Sequence, residues 1–275
     1  MTKHQMIIMT IVLFSSLTPV RGRGDLPVAE EHVSGAGQSG TVTITVLYDN
    51  YRCREGTRND WGFSCLVEGA GEPLLFDTGA RADVLEHNIR VTGCDIKQVK
   101  HIIISHNHGD HTGGLLMTLG LNHNLTVHLP GTSPQALVRQ VELTGAVVQQ
   151  SQNPVQLNTV AWLTGELPGI ASEQSLLVRS SRGWILIAGC SHPGIINILK
   201  RANEVVEDRV VAVIGGLHLL DHSPEQIQTI IHEMKMLGVE YCGATHCTGD
   251  RAIALFREAF GDRFMDMGTG RIPVF

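Results

Sequence analysis

Short apolar runs that stop at an ionisable residue recur along this chain. "HIIIS" (101–105) leads straight into "HNHGDHTGG" (106–114), so His106, His108, Asp110 and His111 fall within six positions of a strand-like stretch. Eight other runs are equally brief: "TVTITVL" (41–47), "FSCLVE" (63–68), "PLLFD" (73–77), "LTVHL" (125–129), "SLLVRS" (175–180), "WILIAG" (184–189), "VVAVIGG" (210–216) and "EYCGAT" (240–245). Their length and their alternating or β-branched content read as strands. Helical patterns alternate with the later strands. In "SPEQIQTIIHEMKMLG" (223–238), Ser223 is a cap, Pro224 suits the first helical position, Gln226 completes a capping box and Gly238 closes the end. "SPQALVRQVELTG" (133–145) and "HPGIINILKRANEV" (192–205) carry proline at a helix start, and "DRAIALFREAFG" (250–261) has Asp250 as a cap and Gly261 as a stop. Segments 49–62 and 146–174 read as loops. Early strands in meander order followed by strand–helix alternation predict a layered α/β protein with one core.

The 275 residues are 43% hydrophobic and 17% charged, which supports a sizeable core and disfavours disorder. The net charge is −6 and no Lys/Arg cluster is present, so a nucleic-acid partner is not expected and a small-molecule substrate is. The N-terminus, "MTKHQMIIMTIVLFSSLTPVRGRG", has Lys3 ahead of an apolar stretch from Met6 to Leu17, with Val20 and Gly22 as small residues around a cut after Gly22. This reads as a signal peptide over 1–22, a Gly-rich linker over 23–40 and one domain over 41–275. Export to a periplasmic or extracellular space follows. A retained segment would leave the chain membrane-anchored or cytoplasmic, and after cleavage no stable membrane span is expected. Six cysteines are present. Cys242 and Cys247 are close enough for a pair or a metal clip, and buried thiols are the simpler reading for most of the six. The sequence does not specify an oligomeric state.

Four ligand-type residues in one loop after a strand point to metal. A loop lets side chains two apart converge, so His106 and His108 can share one ion while Asp110 and His111 reach a second. Gly113 and Gly114 let the next helix pack closely. In α/β proteins, sites collect beyond the carboxyl ends of strands, and further candidates sit there: Cys190 and His192 after "WILIAG", His218 after "VVAVIGG", and His246 after "EYCGAT". His218 reads equally as a group that contacts substrate or supports a ligand. His128 and His101 are weaker candidates. Asp77 ends "LLFD" and could fix a histidine by accepting its second N–H, or simply make an Asx turn. Trp61 and Phe63 are candidates for a substrate wall or for core. Cys190 is either a thiolate bridging two metals or a small buried residue.

The run His106-x-His108-x-Asp110-His111 with Thr112-Gly113-Gly114, preceded by Asp77-Thr78-Gly79, resembles the signature of the metallo-β-lactamase superfamily. "DWGFS", "LLFDTGA", "SHNHGDHTGGL", "GCSHPGIINI", "IGGLHL" and "THCTGD" resemble, more narrowly, the branch of dihydropterin-ribofuranosylaminobenzene-phosphate synthase-like metal-dependent hydrolases. The resemblance spans roughly 41–275. It implies a four-layer αββα sandwich with a dinuclear metal site at one edge, usually of zinc, with iron or manganese as alternatives. It also implies His106, His108 and His192 at the first ion, and Asp110, His111 and His246 at the second. The usual bridging carboxylate is replaced where this strand ends in "AGCSH", which leaves the bridge to Cys190 or to no protein group. The mid-chain ligand element of lactamases is absent. The expected activity is hydrolysis of an ester or phosphoester of a small molecule, with Asp110 orienting the nucleophile and passing a proton to the leaving group. A synthase-like transferase, a non-catalytic metal- or ligand-binding protein and an iron oxygenase are the other readings.

Overall fold

The structure is a computed structural model and describes residues 40–275. The expected signal peptide (1–22) and all but the last residue of the expected linker lie outside the described residues.

Two six-stranded sheets form the centre. The first runs in spatial order β1 (Thr43–Tyr48), β2 (Ser64–Glu68), β3 (Leu74–Phe76), β4 (His101–Ile103), β5 (Thr126–Pro130) and β6 (Val147–Ser151). The second runs β12 (Tyr241–Thr245), β11 (Val210–Gly216), β10 (Gly183–Ala188), β9 (Leu176–Ser180), β8 (Ala161–Leu163) and β7 (Val155–Asn158). The two-residue period of the strands sorts side chains between layers. Along β10, Ile185 and Ile187 join the cluster between the sheets, together with Ile44, Val46, Phe76, Ile103 and Ile214. Trp184 and Leu186, on the opposite face, pack under α5 (Ile195–Val206), α6 (Pro224–Met236) and α7 (Asp250–Phe260). On the far side, Leu47, Leu75 and Ile102 pack under α1 (Ala82–Thr92), α3 (Leu115–Leu121) and α4 (Gln135–Glu142). The one-turn α2 (Gly109–Thr112) lies in the loop after β4. Three apolar clusters separated by two sheets define the αββα sandwich expected from the sequence.

Strand direction positions the site. β3, β4, β5 and β6 are mutually parallel, as are β10, β11 and β12. Several of their carboxyl ends therefore share one rim. Close backbone approach is built in beside it: a Cβ on Gly113 would lie 1.8 Å from the Ala80 carbonyl oxygen, and one on Gly114 2.4 Å from that of Thr78.

Three local expectations need correction, and one helix, α1, was not anticipated. Segment 146–174 contains β6, β7 and β8 rather than a continuous loop. β6 and β7 are edge strands whose "VVQQS" and "VQLN" are mostly half-buried or exposed, so they lack the apolar alternation that marks a strand. α1 begins after Arg81 with no side-chain cap bond, and so gave no start signal. α5 begins at Ile195 behind Gly194, leaving Pro193 ahead of the helix. α7 is capped by Gly249, and Asp250 is its first helical residue, accepting a hydrogen bond from the Tyr51 hydroxyl at 2.6 Å. The Ser223–Gln226 capping box on α6 forms as expected. Among the described residues no helix is long and apolar enough to cross a membrane.

Candidate metal centre

The rim gathers side chains from the ends of β3, β4, β10, β11 and β12. Asp77 and the loop 105–112 arrive from the first sheet, and Cys190, His192, His218 and His246 from the second. Among the described residues, four of the five non-glycine residues with positive φ sit here: Asp77, Ser191, His218 and His246. Such backbone costs on the order of 1–3 kcal/mol per residue and persists where its surroundings enforce it.

His106, His108 and His192 form one donor group, each offering an atom within 4.8 Å of the others. His106 Nε2 faces His108 Nδ1 at 3.0 Å, and the His192 ring centroid lies 4.8 and 4.9 Å from those two rings. Burial pushes His106 well below the usual imidazole range and brings His192 to about 4, and neighbouring imidazoles add to both shifts. Both rings are thus held neutral, the form that coordinates a metal.

Asp110, His111, Cys190 and His246 form a second group on the same 4.8 Å criterion. Cys190 Sγ lies 3.3 Å from His111 Nε2 and 3.4 Å from His246 Nε2. Asp110 Oδ2 lies 3.6 and 3.7 Å from those same two nitrogens. His111 and His246 are fully buried, whereas the Asp110 side chain is 20% exposed. Burial drives His246 well below its ordinary range. Burial acts the same way on His111, but the Asp77 carboxylate 2.7 Å from Nδ1 outweighs it and raises the ring to about 9.

A metal fits these residues on an observation at His192. Both of its ring nitrogens are buried and neither has a hydrogen-bond partner. Leaving such groups unmet is costly, and the imidazoles beside them cannot all act as donors and acceptors to one another. A cation shared by His106, His108 and His192 would meet one nitrogen of each ring, including one of the two left unpartnered on His192.

The Nδ1 atoms of three of these histidines are held by buried or half-buried side chains. Asp77 Oδ2 accepts from His111 Nδ1 at 2.7 Å and from Ser105 Oγ at 2.7 Å, and Ser105 Oγ meets His106 Nδ1 at 2.9 Å. One carboxylate thereby orients a histidine in each group. Two further residues that hold the rim were not expected from the sequence. Asn50 Oδ1 meets His246 Nδ1 at 2.9 Å, and its amide donates to the His246 carbonyl. Glu173, 1% exposed, accepts the backbone N–H groups of Gly189, Cys190 and Ser191 on Oε1 and of His192 on Oε2, at 2.9–3.1 Å. It clamps the loop that carries two candidate ligands. Its only sequence signal is an acid just ahead of an apolar strand. Trp61, 49% exposed, has its ring 5.1 Å from that of His246, while Phe63 is buried between the sheets.

The cysteine pairing considered above is also corrected. Cys242 lies in the apolar cluster under the helices, whereas Cys247 groups with Cys190 and His218 at the rim. Successive residues of β12 face opposite ways, and the turn at His246 redirects the chain before Cys247. His101 and His128 stay outside both donor groups: His101 Nδ1 meets His128 Nε2 at 2.9 Å within β4 and β5, and Glu72 flanks His101.

The sequence model of the metallo-β-lactamase superfamily matches residues 62–135, which contain the whole 106–111 ligand loop. The chain is 29% identical over 263 residues to a 7,8-dihydropterin-6-methyl-4-(β-D-ribofuranosyl)-aminobenzene-5'-phosphate synthase of Methanocaldococcus jannaschii, covering 78% of this chain and 90% of that one. It is 31% identical to Tm1679, whose crystal structure is described as that of a metal-dependent hydrolase of the β-lactamase superfamily. That match has a TM-score of 0.71 and covers 84% of this chain and 98% of Tm1679. The metallo-β-lactamase fold protein YhfI from Bacillus subtilis shares the fold, with a TM-score of 0.61 at 13% identity. With the sandwich, the rim and the relatives in agreement, the chain belongs to the metallo-β-lactamase superfamily.

Proposed function

We propose that the protein is a metal-dependent hydrolase that opens an ester or phosphoester of a small molecule at a two-ion centre. His106, His108 and His192 would hold one ion, and Asp110, His111, His246 and the Cys190 thiolate the other. The observation that carries this reading is the juxtaposition of two donor groups on one rim, one of them containing an imidazole with both nitrogens unpartnered. Imidazole, carboxylate and thiolate together suit zinc, with iron or manganese as alternatives. When bound, two such ions lower the pKa of a water molecule and polarise the oxygen on which charge develops.

The remaining roles fall to the chain. Asp77 and Asn50 occupy the Nδ1 atoms of His111 and His246, so both Nε2 atoms face Asp110 and Cys190. Asp110, the solvent-reaching member of that group, takes a proton from the attacking water and returns it to the leaving group. Trp61 supplies a flat apolar wall beside His246 for the body of the substrate. Export directed by residues 1–22 is part of the same proposal.

The experiment is a turnover screen of metal-loaded protein on phosphodiesters, lactones and β-lactams, repeated after chelation and with Asp110→Asn. Metal-dependent turnover on an ester class, lost in the variant, supports the reading. Absence of turnover on every class counts heavily against it. A second reading, a synthase-like transferase, is favoured by the identity to the archaeal synthase. Formation of a condensed product from a dihydropterin and a ribofuranosyl aryl phosphate would select it. Ligand-induced stabilisation without any product would instead indicate a binding protein.

A further inference from the structure

Cys190, His218 and Cys247 form a third donor group, of which the proposed hydrolytic centre uses Cys190 alone. Each offers an atom within 4.8 Å of the other two. The two cysteines are 3% and 2% exposed, and His218 is open to solvent. The setting of these thiols differs from that of the other buried cysteines. Cys65 and Cys242 lie inside apolar clusters, while Cys190 and Cys247 belong to none of the three. Cys247 Sγ instead meets the Cys190 carbonyl at 3.5 Å.

The backbone is shaped around the sulfur. A Cβ on Gly216, at the end of β11, would lie 2.4 Å from the Gly189 carbonyl oxygen, 2.7 Å from Cys247 Sγ and 3.1 Å from His246 Cδ2. Two residues on, His218 adopts φ +53°. The Leu217 N–H donates to Thr248 Oγ1 at 3.0 Å, which ties the His218 turn to the loop carrying Cys247. Around a tetrahedral ion with metal–sulfur bonds of about 2.3 Å and metal–nitrogen bonds of about 2.0 Å, ligand atoms sit roughly 3.5–3.8 Å apart. The spacing here reaches that range with side-chain adjustments of at most about an ångström.

We propose that Cys190, His218 and Cys247 form a separate site for a thiophilic cation, zinc or a softer d10 ion such as cadmium, with Cys190 shared with the hydrolytic centre. Two thiolates and one imidazole leave a fourth position open beside the exposed His218, and soft donors select such ions over magnesium, calcium or manganese. Binding converts both thiols to thiolates and releases their protons to solvent, with no change of oxidation state. The site rests on the two-ion reading only in sharing Cys190.

The test loads the reduced full chain with cadmium alone, removes unbound ion, counts bound metal by mass spectrometry and records the ultraviolet thiolate-to-cadmium absorption. The variants are Cys247→Ala and His218→Ala, each checked for folding by circular dichroism. The expected result is one fewer ion per chain in both variants, with the thiolate absorption falling by at least half in Cys247→Ala. A count and spectrum unchanged from the parent in both variants would overturn the proposal. So would an unreduced Cys190–Cys247 disulfide that persists under reductant with no third ion. A His106→Ala, His111→Ala double variant separates the two ideas. If it keeps one cadmium and a thiolate band that the further change Cys247→Ala removes, the sulfur site stands whatever becomes of the hydrolytic centre.

Discussion

Glu173 offers a quantitative test of how the rim is held. Its carboxylate is the acceptor for four consecutive backbone N–H groups, Gly189 to His192. Glu173→Ala strands all four in a buried site. At a cost of about 1 kcal/mol or more for each unsatisfied donor, the loss reaches at least ~4 kcal/mol. That is a large share of the roughly 5–15 kcal/mol that holds a domain folded, so Glu173→Gln is the more informative substitution. Its amide keeps one oxygen for the Gly189, Cys190 and Ser191 donors and turns an N–H2 toward the His192 N–H. Losing one charge-assisted bond costs about 1.5–3 kcal/mol. Burial raises the Glu173 pKa, and the neutral amide escapes that penalty, so the net effect is about 2 kcal/mol. Urea denaturation of chelator-treated protein measures this, and the melting temperature should fall by roughly 4–8 °C. Competition with a chelator should show metal bound about tenfold more weakly, because the clamp positions Cys190 and His192. Stability within ~0.5 kcal/mol of the parent, together with unchanged metal affinity, would refute the clamp.

Three further outcomes are expected. Asp77→Asn removes the carboxylate that orients His111 and, through Ser105, His106, and should weaken metal binding by about 10–100-fold in the same competition assay. Gly113→Ala places a methyl 1.8 Å from the Ala80 carbonyl oxygen, and should destabilise by about 3 kcal/mol or more in urea titration. Burial, helped by the neighbouring His101, lowers the His128 pKa to about 4. The unfolded ring titrates near ~6.5, so its contribution to stability is complete above that pH and is lost as the pH falls toward 4, by up to about 3 kcal/mol. Metal-free His128→Asn should therefore show a shallower loss of urea stability between pH 7.5 and pH 4.5 than the parent chain. Equal slopes would contradict the assignment.

Much of the fold was legible because the strands are short, apolar and punctuated. The nine runs that read as strands all form strands, and the Ser223 capping box and the Gly113–Gly114 close approach carry local signals that tertiary context does not override. β6 and β7 escaped because edge strands need only half a buried face, and their glutamines and asparagine mask the period, while β8, paired on both sides, is only three residues long. At the rim, the loop 106–111 announced itself because its ligand types are contiguous. Asn50 and Glu173 did not, since their partners are 196 and 16–19 residues away and, for Glu173, are backbone groups with no side-chain identity to read. Cys247 appeared to belong with Cys242 because the spacing ignores the turn at His246 that sends the two thiols to different layers.

The central claim is that this rim holds two metal ions between named donors. The most direct measurement is anomalous X-ray diffraction at the zinc edge from crystals grown with zinc. The account predicts one peak among His106, His108 and His192 and a second among Asp110, His111, Cys190 and His246. Diffraction with no peak at either position, or with zinc bound only elsewhere on the chain, would contradict it.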